Sequence, residues 1–128
     1  MANYPARSSG DQTTNYLRAP ITFAIGTAGI VQVGTLPAGC AVLRVTIVVG
    51  TVFNFGTNNL VKVGTVASDT ALVASVSVAA LGAIVGTVAA NAAVAPTVDT
   101  PIICTSLCTG TAGTTGSAFV IVEYAPVA

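Results

Sequence analysis

The chain has 128 residues, of which 53% are hydrophobic and only 6% are charged, and its four basic residues balance its four acidic ones. Soluble domains usually carry about 25% charged residues, so this shortage indicates that much of the surface is covered in an assembly. The equal numbers of basic and acidic residues exclude the strongly basic surface that nucleic-acid binding needs. The sequence contains no histidine, which is the commonest general base of enzymes. We therefore expect a structural module that packs against copies of itself or a larger assembly, and no enzyme.

The first segment, residues 1–19, is polar and without hydrophobic period, which predicts an extended arm ahead of a β-domain over residues 20–128. It has no apolar stretch of the kind that a secretory signal needs. A disordered terminus remains an alternative for its first ten residues. The side chains expected to anchor the arm on a partner are Tyr4, Arg7, Tyr16, Leu17 and Arg18.

From residue 20 onward, short apolar runs are separated by Gly, Thr, Asn and Pro, which predicts β-strands. In the strongest run, 40–49, the odd positions are all apolar, whereas Arg44 and Thr46 share the other face. Apolar residues on both faces of 118–124 indicate a strand that is central or clamped at an interface. The predicted strands are 21–25, 30–36, 40–49, 60–66, 76–78, 83–88, 97–106 and 118–124.

A helix of one or two turns at most is expected within 68–73, because Ser68 can cap a helix and Asp69 would lie in its first turn. Seven to nine strands with little helix predict an all-β fold, a jelly-roll-like antiparallel β-sandwich with an N-terminal arm. The charge-free stretch 71–96 is apolar enough for a hydropathy window to accept it as a membrane span. Its Ala and Val content and its flanks, which lack basic clusters and aromatic belts, argue against a span.

The cysteines Cys40, Cys104 and Cys108 are expected to be small buried hydrophobes. A zinc site would lack its fourth ligand, so we expect no metal and no cofactor. A bridge from Cys40 to one of the other two stays open. Lys62, the single lysine, is expected to face solvent, which leaves no base for a serine nucleophile.

The carboxylates do not form an evident catalytic pair. Glu123 lies on an otherwise apolar strand and has three interpretations: a cross-sheet pair with Arg44, a pair with an arginine of a neighbouring arm, or a solvent-facing strand end. The glycine-rich segment 110–116 lacks the Gly-Lys-Ser/Thr ending of a phosphate-binding loop. It is expected to be a hairpin connection between two strands.

In five segments the chain resembles the small virion proteins of tailed bacteriophages, and the resemblance covers roughly residues 20–125. It implies a capsid decoration (cement) protein that binds the major capsid protein and joins neighbouring capsomers. It further implies a homo-oligomer, with a trimer favoured over a dimer, on the capsid surface of a virion assembled in the host cytoplasm. The segments that carry the resemblance are 41–49, 51–54, 57–65, 68–74 and 116–124.

Two other functions stay open. One is a tail, fibre or baseplate component of the same kind of particle. The other is a β-sandwich that binds glycans or surfaces, since jelly rolls also occur in lectins. Such a site needs exposed aromatic side chains, and the candidates are Phe53, Phe55 and Tyr124.

Overall fold

The computed structural model describes residues 14–89 and 95–127, which form eight β-strands and one short 3-10 helix over Phe23–Ile25. Strand formation follows the β-branched residues, mostly Val, Ile and Thr, that fill the predicted runs. The strands are β1 (Asn15–Thr22), β2 (Ile30–Leu36), β3 (Cys40–Thr51), β4 (Leu60–Thr65), β5 (Val73–Ser77), β6 (Gly82–Val85), β7 (Thr100–Ser106) and β8 (Ser117–Pro126).

The first four strands pair with the last four in reverse order, as in a single long hairpin that is folded into two sheets. β1 pairs with β8, β2 with β7, β3 with β6 and β4 with β5, all antiparallel. Further pairs, β3 with β8 and β4 with β7, join the strands into a first sheet of order β1-β8-β3-β6 and a second sheet of order β2-β7-β4-β5. Two four-stranded antiparallel sheets in this order form a jelly roll. The predicted β-sandwich is confirmed.

The core lies between the two sheets and is built by alternation along the strands. Val45 and Ile47 of β3 are fully buried, as are Val61 and Val63 of β4. Burying each such side chain contributes about 1.5–3 kcal/mol. The same alternation in β8 buries Val120 between outward-facing neighbours. The fully buried side chains are Ile21, Ile47, Ile102, Val45, Val61, Val63, Val73, Val78, Val120, Val122, Cys104 and Cys108.

Several sequence predictions need correction. The odd-position alternation of β3 breaks at Leu43, because a register shift between Val42 and Arg44 turns Leu43 outward, where it is 52% exposed. The run 21–25 ends its strand at Thr22, whose side-chain oxygen accepts a hydrogen bond from the Ala24 N–H and caps the 3-10 helix. β1 begins at Asn15 and pairs with β8 along its whole length, so residues 15–19 of the predicted arm form part of a strand of the first sheet.

The short helix expected within 68–73 is wrong, because the chain forms a turn there and β5 begins at Val73. The Ser68 carbonyl accepts hydrogen bonds from the N–H groups of Thr65 (2.8 Å) and Ala71 (3.0 Å), which closes a turn between β4 and β5. The Asp69 carboxylate contacts Lys62 Nζ at 2.8 Å, so Lys62 is paired, where sequence had predicted a solvent-facing side chain. The stretch 71–96 was expected not to span a membrane, and its described part, 71–89, contains β5 and β6. Among the described residues, no helix is long and apolar enough to cross a membrane.

The glycine-rich segment 110–116 does not form a hairpin, because β7 and β8 belong to different sheets. It crosses from one sheet to the other at the end of the sandwich, where it lies against the connection between β3 and β4. The Gly56 N–H donates to the Thr111 carbonyl (3.0 Å), and the Thr57 N–H donates to the Thr109 carbonyl (2.9 Å). These bonds close the sandwich at that end.

Candidate interaction surface

The outer face of the first sheet carries an apolar row that crosses all four strands. Pro20 of β1 is the register partner of Phe119 of β8, Phe119 is the partner of Val48 of β3, and Val48 is the partner of Ala83 of β6. These side chains point away from the core because their chain neighbours, such as Val49 and Ala118, point into it. Phe119 is 42% exposed and Val48 is 38% exposed.

A second row lies two residues further along the strands and is partly polar. Its members, in the order of the sheet, are Arg18, Ile121, Thr46 and Val85. Val85 is 57% exposed. We define the outer patch as the apolar row together with the apolar members of the second row: Pro20, Phe119, Val48, Ala83, Ile121 and Val85.

A third row contains the charged pair of this face. Glu123 of β8 is the register partner of Tyr16 on one side and Arg44 on the other. Arg44 Nε donates a hydrogen bond to Glu123 Oε2 at 2.6 Å. That hydrogen bond, together with the negative charge of the carboxylate, raises the pKa of Arg44 further above its ordinary value. Of the three interpretations of Glu123, the structure gives the cross-sheet pair.

Arg18 lies at the edge of the outer patch, with its guanidinium 5.2 Å from the centre of the Phe119 ring. This is a cation–π contact, in which the positive charge lies against the electron-rich face of the ring. Within residues 14–89 and 95–127 the ion pairs are Arg44–Glu123 and Lys62–Asp69. Among the basic side chains of these residues, Arg18 is therefore the one without a carboxylate partner.

Two shallow apolar grooves flank the end of β1 beside the outer patch. The first, of about 220 Å³, lies between Pro20, Val48, Gly50 and Phe119. The second, of about 370 Å³, lies on the other side of β1 and extends to Ile30 at the start of β2. The first groove is formed by strand residues, whereas the second extends the apolar surface past β1 to the 3-10 helix and the start of β2.

The residues predicted to contact a partner divide into three groups. Tyr4 and Arg7 lie outside the described residues. Tyr16 and Arg18 lie on the outer face of β1, both exposed. Leu17 points the opposite way and packs against the core.

The outer patch itself was not predicted, although one signal for it is present in the sequence. The apolar residues on both faces of the last strand indicated a central or clamped strand, and β8 is central in the first sheet. Its inner face supplies Val120 and Val122 to the core, whereas its outer face supplies Phe119 and Ile121 to the patch.

The three cysteines are buried free thiols, as the interpretation as small hydrophobes requires, and no disulfide joins them. Burial, with a smaller contribution from the neighbouring Cys108, raises the pKa of Cys104 to about 12. The described residues contain no cluster of His, Cys, Asp or Glu that would hold a metal ion.

Of the three aromatic residues considered for a glycan site, two are buried and one is partly buried. Phe53 and Phe55 are buried in the core, with 2% and 5% exposure, and Tyr124 packs against the core from its edge. A sugar ring stacks on an open aromatic face, which Phe53 and Phe55 do not offer.

The eight-stranded jelly roll defines the chain as a β-sandwich of the kind found in viral capsid and lectin domains. A chain of the cyanophage Pam1 capsid asymmetric unit has a similar structure, with a TM-score of 0.68 and 23% identity over 97% of this chain and 91% of that one. A chain of the acid-stable capsid of the Helicobacter pylori bacteriophage KHP30 is similar with a TM-score of 0.61 and 14% identity, over 87% of this chain and 86% of that one. Comparisons with protein families and with curated protein sequences give no match.

Proposed function

We propose that the chain is a structural virion protein that binds the outer surface of a phage capsid and cements neighbouring capsomers. The observation that carries this proposal is the likeness to chains of two phage capsids, which extends over 97% and 87% of the protein. The low charge content supports it, because a chain with 6% charged residues needs a covered surface. The apolar outer patch supports it as well.

The partner in this proposal is the major capsid protein, and the protein itself acts as a homo-oligomer, a trimer in preference to a dimer. It would lie on the capsid surface of the virion after assembly in the host cytoplasm. The arm ahead of β1, with Tyr4 and Arg7, and the outward side chains Tyr16 and Arg18 are proposed to contact the neighbouring subunit. The protein is proposed to have no catalytic role.

Binding to capsids tests the function directly. Capsids that lack the protein are mixed with the purified chain, and the proposal expects it to sediment with them and to make them more resistant to heat or low salt. A chain that remains in the supernatant at micromolar concentration would contradict capsid binding. Imaging of labelled protein on tails, and not on heads, would select the alternative of a tail, fibre or baseplate component.

A second variant tests the arm. Because β1 begins at Asn15, the deletion should remove residues 1–13 and leave the sandwich complete. We expect this truncated protein to unfold at the same urea concentration as the full chain but to lose capsid binding. Undiminished binding would exclude a role of the arm in attachment.

A further inference from the structure

We infer that the outer patch is the surface that docks on the capsid, and that the capsid surface facing it is apolar and presents a carboxylate to Arg18. This inference rests on the proposed function and names the face and the contact chemistry that the proposal leaves open.

The shape of the patch suits docking. It crosses four hydrogen-bonded strands, which gives it a width of about 14 Å across the sheet. Its members are fixed by strand register and by a packed core beneath, so little conformational freedom is lost when a partner covers them. Phe119 and Val48 lie side by side at its centre and Val85 lies at its edge. An apolar centre with a polar border is typical of protein interfaces.

The charge on this face determines what the partner must supply. Arg18 is held over the Phe119 ring, so a partner that covers Phe119 also removes water from the guanidinium. A charge that loses its water without gaining an opposite charge costs free energy. Among the described residues, the carboxylate on this face is Glu123, which is already bound to Arg44 at 2.6 Å. The partner therefore has to provide the carboxylate.

The same reasoning disfavours a second copy of the chain in a two-fold contact. In such a contact the same face meets itself, so Arg18 of one copy would meet a face whose carboxylate is bound to Arg44. A head-to-tail contact between copies is a different case. Among the described carboxylates, Asp99 forms no ion pair, and its Oδ1 accepts a hydrogen bond from the Ala38 N–H at 2.9 Å. In a contact of this kind, Asp99 of one copy is the described carboxylate available to Arg18 of the next.

The test compares the affinity of the full chain and its variants for capsids that lack the protein. Arg18→Glu reverses the charge, and Val48→Glu places a carboxylate in the centre of the patch. We expect each to weaken capsid binding by about tenfold or more, as for central interface residues. Val66→Glu is the matched control, because Val66 is 76% exposed in the turn after β4 of the second sheet. We expect its affinity to stay within about twofold of the unchanged chain.

Three outcomes would overturn the inference. Arg18→Glu and Val48→Glu could bind as tightly as the unchanged chain. Val48→Glu could alter the mass of the oligomer in solution, measured by light scattering, which would assign the patch to contacts between copies. Arg18→Glu and Asp99→Asn could each change the mass of the oligomer in solution by the same amount, which would assign Arg18 to a head-to-tail contact between copies.

Folding of each variant is checked by urea unfolding. If Val48→Glu does not fold, Val85→Glu on the edge strand β6 replaces it, since Val85 is 57% exposed. An unchanged chain that does not bind capsids at all contradicts the proposed function. Binding by the unchanged chain that the patch variants do not weaken contradicts only the docking face.

Discussion

Arg44 and Glu123, 79 residues apart in the chain, are direct register partners on β3 and β8, and Arg44 Nε lies 2.6 Å from Glu123 Oε2. The arginine side chain is 55% exposed and the glutamate side chain 26%. Because water reaches both groups, their attraction competes with hydration and is screened by salt. The pair therefore orients two side chains on the sheet surface and adds little to the stability of the fold.

Replacement of Glu123 by Gln is expected to lower the urea midpoint only slightly, and the difference from the unchanged chain should vanish at high salt. Val122→Ala, one position earlier, removes buried atoms and is expected to cost about 2 kcal/mol or more, at any salt concentration. Urea unfolding at low and high salt measures both. If the two variants lost the same free energy of unfolding, the ion pair would contribute far more to stability than the exposure of its side chains allows.

The fold was largely predictable because its core is built by simple alternation. Val45, Ile47 and Val49 point inward with period two, and the strand 30–36 was predicted with its observed bounds. The bulge at Leu43 was not predictable, because it depends on the register between β3 and β8. The turn at Ser68 was missed for a similar reason, since it is closed by the backbone hydrogen bonds of Thr65 and Ala71 to the Ser68 carbonyl, between the paired strands β4 and β5.

The candidate surface was less predictable than the fold. Tyr16, Leu17 and Arg18 were all predicted to contact a partner, and the structure places Tyr16 and Arg18 on the outer face of β1 and Leu17 on its inner face. This difference was missed because residues 15–19 were not recognised as a strand. The apolar faces of the last strand were recognised in the sequence, but the row that crosses the sheet was not. Pro20, Val48, Ala83 and Phe119 come from four separate segments and become neighbours only through strand order and register.

Asn54 is predicted to hold two connections together at one end of the sandwich. Its Oδ1 accepts hydrogen bonds from the N–H groups of Thr114 (2.8 Å) and Thr115 (3.0 Å), and its Nδ2 donates to Thr114 Oγ1 at 2.9 Å. We expect Asn54→Ala to cost about 1–3 kcal/mol, since three hydrogen bonds are lost at once. Hydrogen exchange should rise at the Thr114 and Thr115 amides.

Asn58 offers a matched control for this variant. It lies in the same connection, and its backbone, not its side chain, forms the bridge to Thr109. Asn58→Ala should therefore leave the urea midpoint and the exchange of these amides nearly unchanged. If Asn58→Ala were as destabilising as Asn54→Ala, the loss would reflect the connection in general and not the three bonds of Asn54.

Gly116 is predicted to be intolerant of any side chain. Its φ is +147°, and a Cβ there would lie 2.7 Å from Cγ of Phe53, whose ring is buried in the core. We expect Gly116→Ala to cost about 3 kcal/mol, the combined effect of backbone strain and overpacking. Gly26→Ala has a positive φ but nothing within 4 Å, so it isolates the strain and should cost about 1 kcal/mol.

Gly50→Ala completes this series, because its added Cβ would make only an ordinary contact with Ser117 at 3.8 Å. We expect it to leave the free energy of unfolding within about 0.5 kcal/mol. The three variants should thus rank Gly116, Gly26 and Gly50 from most to least destabilising in urea. A Gly116→Ala protein as stable as Gly26→Ala would show that the Phe53 ring moves aside at little cost.

Cys104 is predicted to make stability fall in alkaline solution. Burial raises the pKa of its thiol from 9.0 to about 12 in the folded chain, with a smaller effect from Cys108. The unfolded chain therefore releases the Cys104 proton at lower pH than the folded chain does. The contribution to stability is complete below pH 9 and is lost as the pH rises toward 12, at up to about 1.4 kcal/mol per pH unit.

Comparison with Cys104→Ala isolates this effect from the other groups that titrate in the same range. The free energy of unfolding of the unchanged chain should fall more steeply than that of Cys104→Ala between about pH 9 and pH 10.5. The same burial predicts that Cys104 reacts with a thiol reagent only as fast as the chain unfolds. Parallel pH profiles for the two proteins, or rapid labelling of Cys104 in the native state, would mean that water reaches this thiol and that the two sheets separate there without global unfolding.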